Sequence, residues 1–175
     1  MDPSSRLRTW EHAERSDRPL DSEVDGYGIM AIVEDSTGPE LVLLRKYRPA
    51  INKVTIEMPT GLLGPGENLQ EAAAKKLECA TGYTATVLDE TSIITDGMYE
   101  RPGSIDDGFK MFYNPGFCNT NLKMLHVKID ASFPGNGGWR GTECRRMGGE
   151  GYAIDTQVGA LAEGIELAKR WKLSR

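Results

Sequence analysis

A chain of 175 residues has the length of one domain, and 39% apolar with 27% charged residues is the composition of an ordinary globular protein. A formal charge of −5 excludes a general nucleic-acid surface, because a phosphate backbone is bound by a basic face. No stretch approaches the ~20 apolar residues of a membrane span, and the polar first twenty residues do not read as a signal peptide.

In chain order, residues 1–22 read as an arm with little apolar periodicity, and 23–175 as the domain proper. Gly28 to Val33 and Leu41 to Leu44 are two apolar runs separated by Glu34-Asp35-Ser36-Thr37-Gly38-Pro39, which predicts an antiparallel hairpin. Lys53 to Met58 predicts a further short strand that Pro59 ends. Three glycines and a proline between Gly61 and Gly66 predict irregular structure. A helix is predicted over Asn68 to Ala80. Asn68 is the N-cap, Glu71 follows at capping-box spacing, good helix formers fill the interior, and Gly82 supplies the stop.

Thr86 to Ile94 and Leu122 to Ile129 predict strands. The second alternates, with Leu125, Val127 and Ile129 on one face and Met124, His126 and Lys128 on the other. Asp155 to Leu173 predicts a closing amphipathic helix, with Val158, Leu161, Ile165, Ala168 and Trp171 on its apolar face. Strands, helix, strands, helix is the order of an α/β fold whose mixed sheet is held between helices. Cys79, Cys118 and Cys144 form no CxxC pair, which fits reduced thiols in a cytoplasmic protein.

One stretch carries chemistry: Ile56 to Tyr83, IEMPTGLLGPGENLQEAAAKKLECATGY. It resembles the Nudix box, with Gly61, Glu67, Leu77, Gly82 and Tyr83 at the family's spacings. Glu57-Met58-Pro59-Thr60-Gly61-Leu62 is similar to the E-x-P-A-G-L of the ADP-ribose pyrophosphatase branch. Arg8-Thr9-Trp10-Glu11, Tyr47-Arg48-Pro49 and Asn114-Pro115-Gly116-Phe117 resemble further segments of that branch, and Gly151 to Leu173 the closing helix of its fungal members. The resemblance implies a Nudix α/β/α sandwich with a mixed sheet and an N-terminal dimerisation arm. It also implies a homodimer that takes a nucleoside diphosphate-linked small molecule and uses Mg2+.

The same resemblance marks departures. Lys75-Lys76 stands where the family has Arg-Glu, and Cys79-Ala80 where it has Glu-Glu. Hard divalent cations bind carboxylate oxygens, which lysine and alanine do not offer. Glu78 lies about 200° round the helix from position 76, and Glu71 about 140°, so neither substitutes. Glu57, Thr60 and Glu67 are the metal-side positions that remain, Glu67 being also the catalytic candidate. The stretch 135–149 stands where the family has its acidic loop, with Glu143 or Glu150 as the alternatives for that loop's acid, and 96–111 is added ahead of the Pro-Gly-Phe turn.

On the substrate side the resemblance points to Trp10, Glu11 and Arg48. Each has a plainer alternative. Trp10 stacks on adenine from a neighbouring subunit or is a half-buried arm residue; Arg48 contacts the ligand or makes a surface ion pair. Glu67 holds metal or stabilises the start of the helix. Lys76 draws phosphate into a lost cation's place or is drift. Cys79 and His126 read as inert and structural. Three functions follow: a hydrolase of ADP-ribose or a related compound with reduced activity, an inactive binding or partner protein, or a copy turned to another diphosphate in specialised metabolism.

Overall fold

The computed structural model describes residues 9–35, 38–84, 86–87, 111–136 and 151–171. Arg8, Ser36, Thr37, most of the strand predicted to Ile94, the added stretch up to residue 110, Glu143, Cys144, Glu150 and Leu173 lie outside them.

Among the described residues the strands form two mixed sheets. The larger is built on β1 (Gly26–Asp35) and β8 (Asn121–Asp130), paired in parallel from Gly26↔Leu122 to Glu34↔Asp130. On its other edge β1 takes two antiparallel partners, β2 (Gly38–Leu41) and β5 (Thr60–Leu62). β6 (Thr86–Val87) and β7 (Met111–Phe112) do the same for β8. The smaller sheet joins β3 (Leu44–Arg48), β4 (Lys53–Glu57) and β9 (Ala153–Ile154). Helices α1 (Leu69–Thr81) and α2 (Thr156–Trp171) complete the α/β fold.

Period-two alternation explains which face of the larger sheet is dry. Ile29, Ala31 and Val33 from β1 and Leu125, Val127 and Ile129 from β8 meet Ala73 and Leu77 of α1 in one buried cluster. Each large apolar side chain so buried contributes about 1.5–3 kcal/mol. The predicted alternation of β8 is therefore the observed one, with Met124 and His126 half-buried and Lys128 exposed on the opposite face. Burial lowers the His126 pKa, so its imidazole is neutral near pH 7, as a structural residue.

The caps of α1 are those expected. Asn68 Oδ1 accepts from the Gln70 and Glu71 amides at 3.0 and 3.1 Å. Gly82 ends the helix with φ +76°, its N–H bonded to the Glu78 carbonyl at 2.7 Å.

Three expectations are corrected. The run Leu41 to Leu44 is split: Leu41 ends β2 on the larger sheet, while Leu44 begins β3 on the smaller one. An apolar tetrapeptide can pass between two sheets and remain apolar throughout, so composition did not mark the break. The glycine-rich segment is irregular only after Leu62, because Gly61 lets β5 lie flat against β1. A Cβ at Gly61 would overlap the Tyr27 ring, whose hydroxyl donates to the Ala72 carbonyl at 3.0 Å and so ties β1 to α1. Finally, α2 buries only Val158 of its predicted apolar face, while Ile165 and Trp171 are exposed. At the start of the helix the Asp155 amide donates to the Ile56 carbonyl of β4 at 3.0 Å.

The arm lies across its own chain. The Ala13 amide donates to the Phe117 carbonyl at 2.9 Å, and Arg15 Nη1 to the Asp25 carbonyl at 2.8 Å. Asp25 is almost fully buried. Its Oδ2 accepts from the Asn121 amide at 2.8 Å and from Arg18 Nη2 at 3.0 Å. Oδ1 lies 2.6 Å from Arg18 Nε but makes no well-aligned hydrogen bond, so charge attraction holds that side. Residues 13–18 are thus part of the domain's packing, and a division at residue 22 cuts through these bonds. Among the described residues no helix is long and apolar enough to cross a membrane.

Gly61→Ala is expected to cost about 1–3 kcal/mol in urea unfolding, through overpacking against Tyr27. Asn68→Ala should cost about 1 kcal/mol, through a lost cap. Equal stability of Gly61→Ala and the parent would show that Tyr27 can retreat from that position.

Candidate functional site

The β3–β4 hairpin carries a cluster of charged residues. Its register pairs Leu44 with Glu57, Lys46 with Thr55 and Arg48 with Lys53, so Arg48, Thr55 and Glu57 share one face. Pro49 holds Arg48 extended, with φ −114° and ψ 104°. The turn that follows is closed by Asn52, a non-glycine residue at φ 50°, whose side chain accepts from the Tyr47 hydroxyl at 2.6 Å. From there the Arg48 side chain runs back along the face to Glu57. Nε and Nη2 each reach a separate carboxylate oxygen at 2.6 Å, a fork-on-fork pair. Thr55 Oγ1 bonds to the same carboxylate, and also to the Lys46 carbonyl at 2.9 Å.

Burial raises the Glu57 pKa, but the hydrogen bonds from Arg48 and Thr55 and the charges of Arg48 and Lys46 outweigh it, and the net shift is downward. The hydrogen bond to Glu57 raises Arg48 in turn, against the opposing effect of burial. Two residues that sequence reasoning missed complete the cluster. Tyr113 is hydrogen-bonded to the Thr60 side chain and lies within electrostatic range of Arg48, Glu57 and Asp155; burial raises its pKa. Asp155 bonds through its amide to the Ile56 carbonyl at 3.0 Å and caps α2 by accepting from the Gln157 amide at 2.9 Å. Tyr113 adjoins the Pro-Gly-Phe turn already singled out, which was the available signal. For Asp155 the only signal was its place before a helix, shared by most N-caps.

Of the residues expected from sequence, Arg48 and Glu57 meet directly, and Thr60 joins them through Tyr113. The others stand apart from this network. Glu67 is exposed, and its Oε2 accepts from the Gly64 amide at 2.8 Å, which closes the loop before α1. It borders a shallow hollow of about 240 Å3 between residues 21–24 and 63–69, whose lining includes neither Arg48 nor Glu57. Lys76 and Ala80 are half-buried beside the core stripe of Ala73, Leu77 and Thr81, and Cys79 is exposed. Trp10 and Glu11 are exposed.

This donor set does not fit a magnesium ion. Both oxygens of Glu57 are engaged by Arg48, Glu67 is held by a backbone amide, and the box positions on α1 carry an ammonium, a thiol and a methyl group. Among the described residues no group of three or more His, Cys, Asp or Glu side chains could hold a metal ion.

A carboxylate whose folded pKa lies below its unfolded value stabilises the fold above the unfolded value and loses that contribution as pH falls through the folded one. For Glu57 the contribution should be complete above the ordinary value of 4.5 and vanish progressively below it. Urea unfolding between pH 3 and 7 should show this slope, and Arg48→Met should flatten it. An unchanged slope in Arg48→Met would assign the acid sensitivity to other carboxylates.

No protein-family model matches the chain. It is 30% identical to the ADP-ribose pyrophosphatase of Saccharomyces cerevisiae, over 98% of this chain and 76% of that protein. A Nudix hydrolase of Schizosaccharomyces pombe is 35% identical over 78% of this chain and 58% of its own length, so the chain spans little more than half of that relative. Among solved structures, the Ap4A hydrolase of C. elegans is loosely similar, with a TM-score of 0.42 and 18% identity over 61% of this chain and 68% of that one. With the match to the yeast enzyme covering nearly the whole chain and three quarters of that protein, the chain belongs to the Nudix hydrolase family, in its ADP-ribose pyrophosphatase branch.

Proposed function

We propose that this protein takes a nucleoside diphosphate-linked compound of the ADP-ribose type at the Arg48–Glu57 cluster and hydrolyses it below the rate usual for its family. The observation that carries this reading is the position of Arg48. A guanidinium fork, the geometry that matches phosphate oxygens, is fixed on a rigid hairpin at the motif the family shares. The yeast relative's name, ADP-ribose pyrophosphatase, supports the choice of compound. Low turnover follows from the box, where Lys76, Cys79 and Ala80 leave no acidic face on α1 to recruit magnesium. That same observation favours a second reading, in which the chain binds such a compound without cleaving it.

The arm belongs to the proposal as well. Trp10, 74% exposed, is available to a neighbouring subunit rather than to its own domain. A C2 homodimer in the cytoplasm would place Trp10 and Glu11 at the partner's ligand, where stacking on a base contributes about 1–3 kcal/mol.

Turnover of ADP-ribose to AMP and ribose 5-phosphate, measured with and without magnesium, is expected to be slow, with no magnesium-dependent rise in Tm at millimolar concentration. Restoring Lys75→Arg, Lys76→Glu, Cys79→Glu and Ala80→Glu together should produce magnesium-dependent cleavage above the parent. Single restorations should do little, because ligands that act as a unit are not additive. Folding is checked first by circular dichroism, since the new carboxylates repel one another without metal. Rapid magnesium-dependent turnover by the parent would contradict the low-activity reading.

Light scattering at tens of micromolar should give a dimer, and removal of residues 1–21 a monomer or an aggregating species. A monomeric parent would end the role given to Trp10.

A further inference from the structure

Arg48 is already occupied. Its Nε and Nη2 both point at Glu57, each at 2.6 Å, and Glu57 is held from the other side by Thr55. The Glu57 side chain is only 9% exposed, whereas that of Arg48 is 43% exposed. An anion arriving from solvent therefore meets a guanidinium whose bidentate edge is filled by a carboxylate. In a site with divalent cations this carboxylate would help the ligand, by drawing the cation that bridges to phosphate. The donor set here does not fit such a cation, so the charge of Glu57 acts against the ligand, with Asp155 adding a second negative charge nearby.

We propose that the site takes its diphosphate ligand without a divalent cation, and that Glu57 is a built-in competitor which the ligand must displace from Arg48. This rests on the reading of the site as one for a nucleoside diphosphate-linked compound. The exchange is an ion-pair swap with no bond made or broken: the phosphate oxygens take the Nε and Nη2 hydrogens, and Glu57 keeps its bond from Thr55. The sign of one substitution separates this from the metal-assisted alternative. Removing the charge of Glu57 strengthens binding if Glu57 competes for Arg48, and weakens it if Glu57 recruits a cation or orients Arg48.

The test is calorimetric titration of the full chain with ADP-ribose, and separately with inorganic pyrophosphate, in EDTA and in magnesium. The expected result is a parent Kd for ADP-ribose that agrees within about twofold in the two buffers. Glu57→Gln should bind about tenfold more tightly, the scale of one hydrogen bond to a charged group. Thr55→Val, which loosens Glu57 without removing it, should tighten binding by less, and Arg48→Met should abolish it. The comparison of buffers uses the parent alone and survives any variant that fails to fold. Binding that appears only with magnesium overturns the proposal, as does weaker binding by folded Glu57→Gln. If ADP-ribose binds to no variant while pyrophosphate binds Glu57→Gln more tightly than the parent, the nucleotide reading fails and the exchange stands. If neither probe binds, both are overturned.

Discussion

The parallel pairing of β1 with β8 joins segments far apart in the chain, and most of the fold is organised by it. Asp25 and Asn121, 96 residues apart, lock the start of the pair through reciprocal backbone and side-chain bonds. From there the register runs through nine residue pairs without a bulge. A slip of β8 by one residue would turn Leu125, Val127 and Ile129 away from α1 and bring His126 and Lys128 inward. The buried Asp25 charge, matched by Arg18 from the arm, makes the start of this register specific as well as stable. A charge nearly excluded from water is tolerable only with its partner in place. The arm segment 13–18 and the first residues of β1 and β8 therefore stand or fall together.

The candidate site sits on the other sheet, and its properties follow from a hairpin rather than from the helix that names the family. Arg48, Thr55 and Glu57 share a face because strand side chains alternate. β9 brings Asp155 alongside, and the turn after β7 brings Tyr113. What results is a nearly neutral arrangement, one guanidinium held by one carboxylate. On α1, positions 76, 79 and 80 carry an ammonium, a thiol and a methyl group.

Gly61 shows that a residue of the family motif also serves the packing of the fold. Its place is set by Tyr27, which packs where a Cβ would be and reaches across to the carbonyl of Ala72 in α1. Asn68 and Gly82 likewise begin and end the helix whatever its exposed face carries. Glu67, which the motif suggests as a catalytic group, closes a loop through the Gly64 amide. These residues serve the fold at least as directly as they serve a reaction.

The sequence by itself determined the elements whose signals are local: the caps and extent of α1, the strand at β4, the alternation of β8, and the antiparallel pairing of β1 with β2. Those depend on hydrogen bonds and periodicities within a few residues, which a linear reading contains. Only the tertiary structure decided that Leu41 and Leu44 belong to different sheets, that Gly61 lies in a strand, and that only Val158 of α2's apolar face is buried. It alone brought Tyr113 and Asp155 to Arg48 and set both oxygens of Glu57 against its guanidinium. Each of these is fixed by which surfaces meet across the chain, and the energy of such a meeting is a property of pairs distant in sequence that no single segment carries.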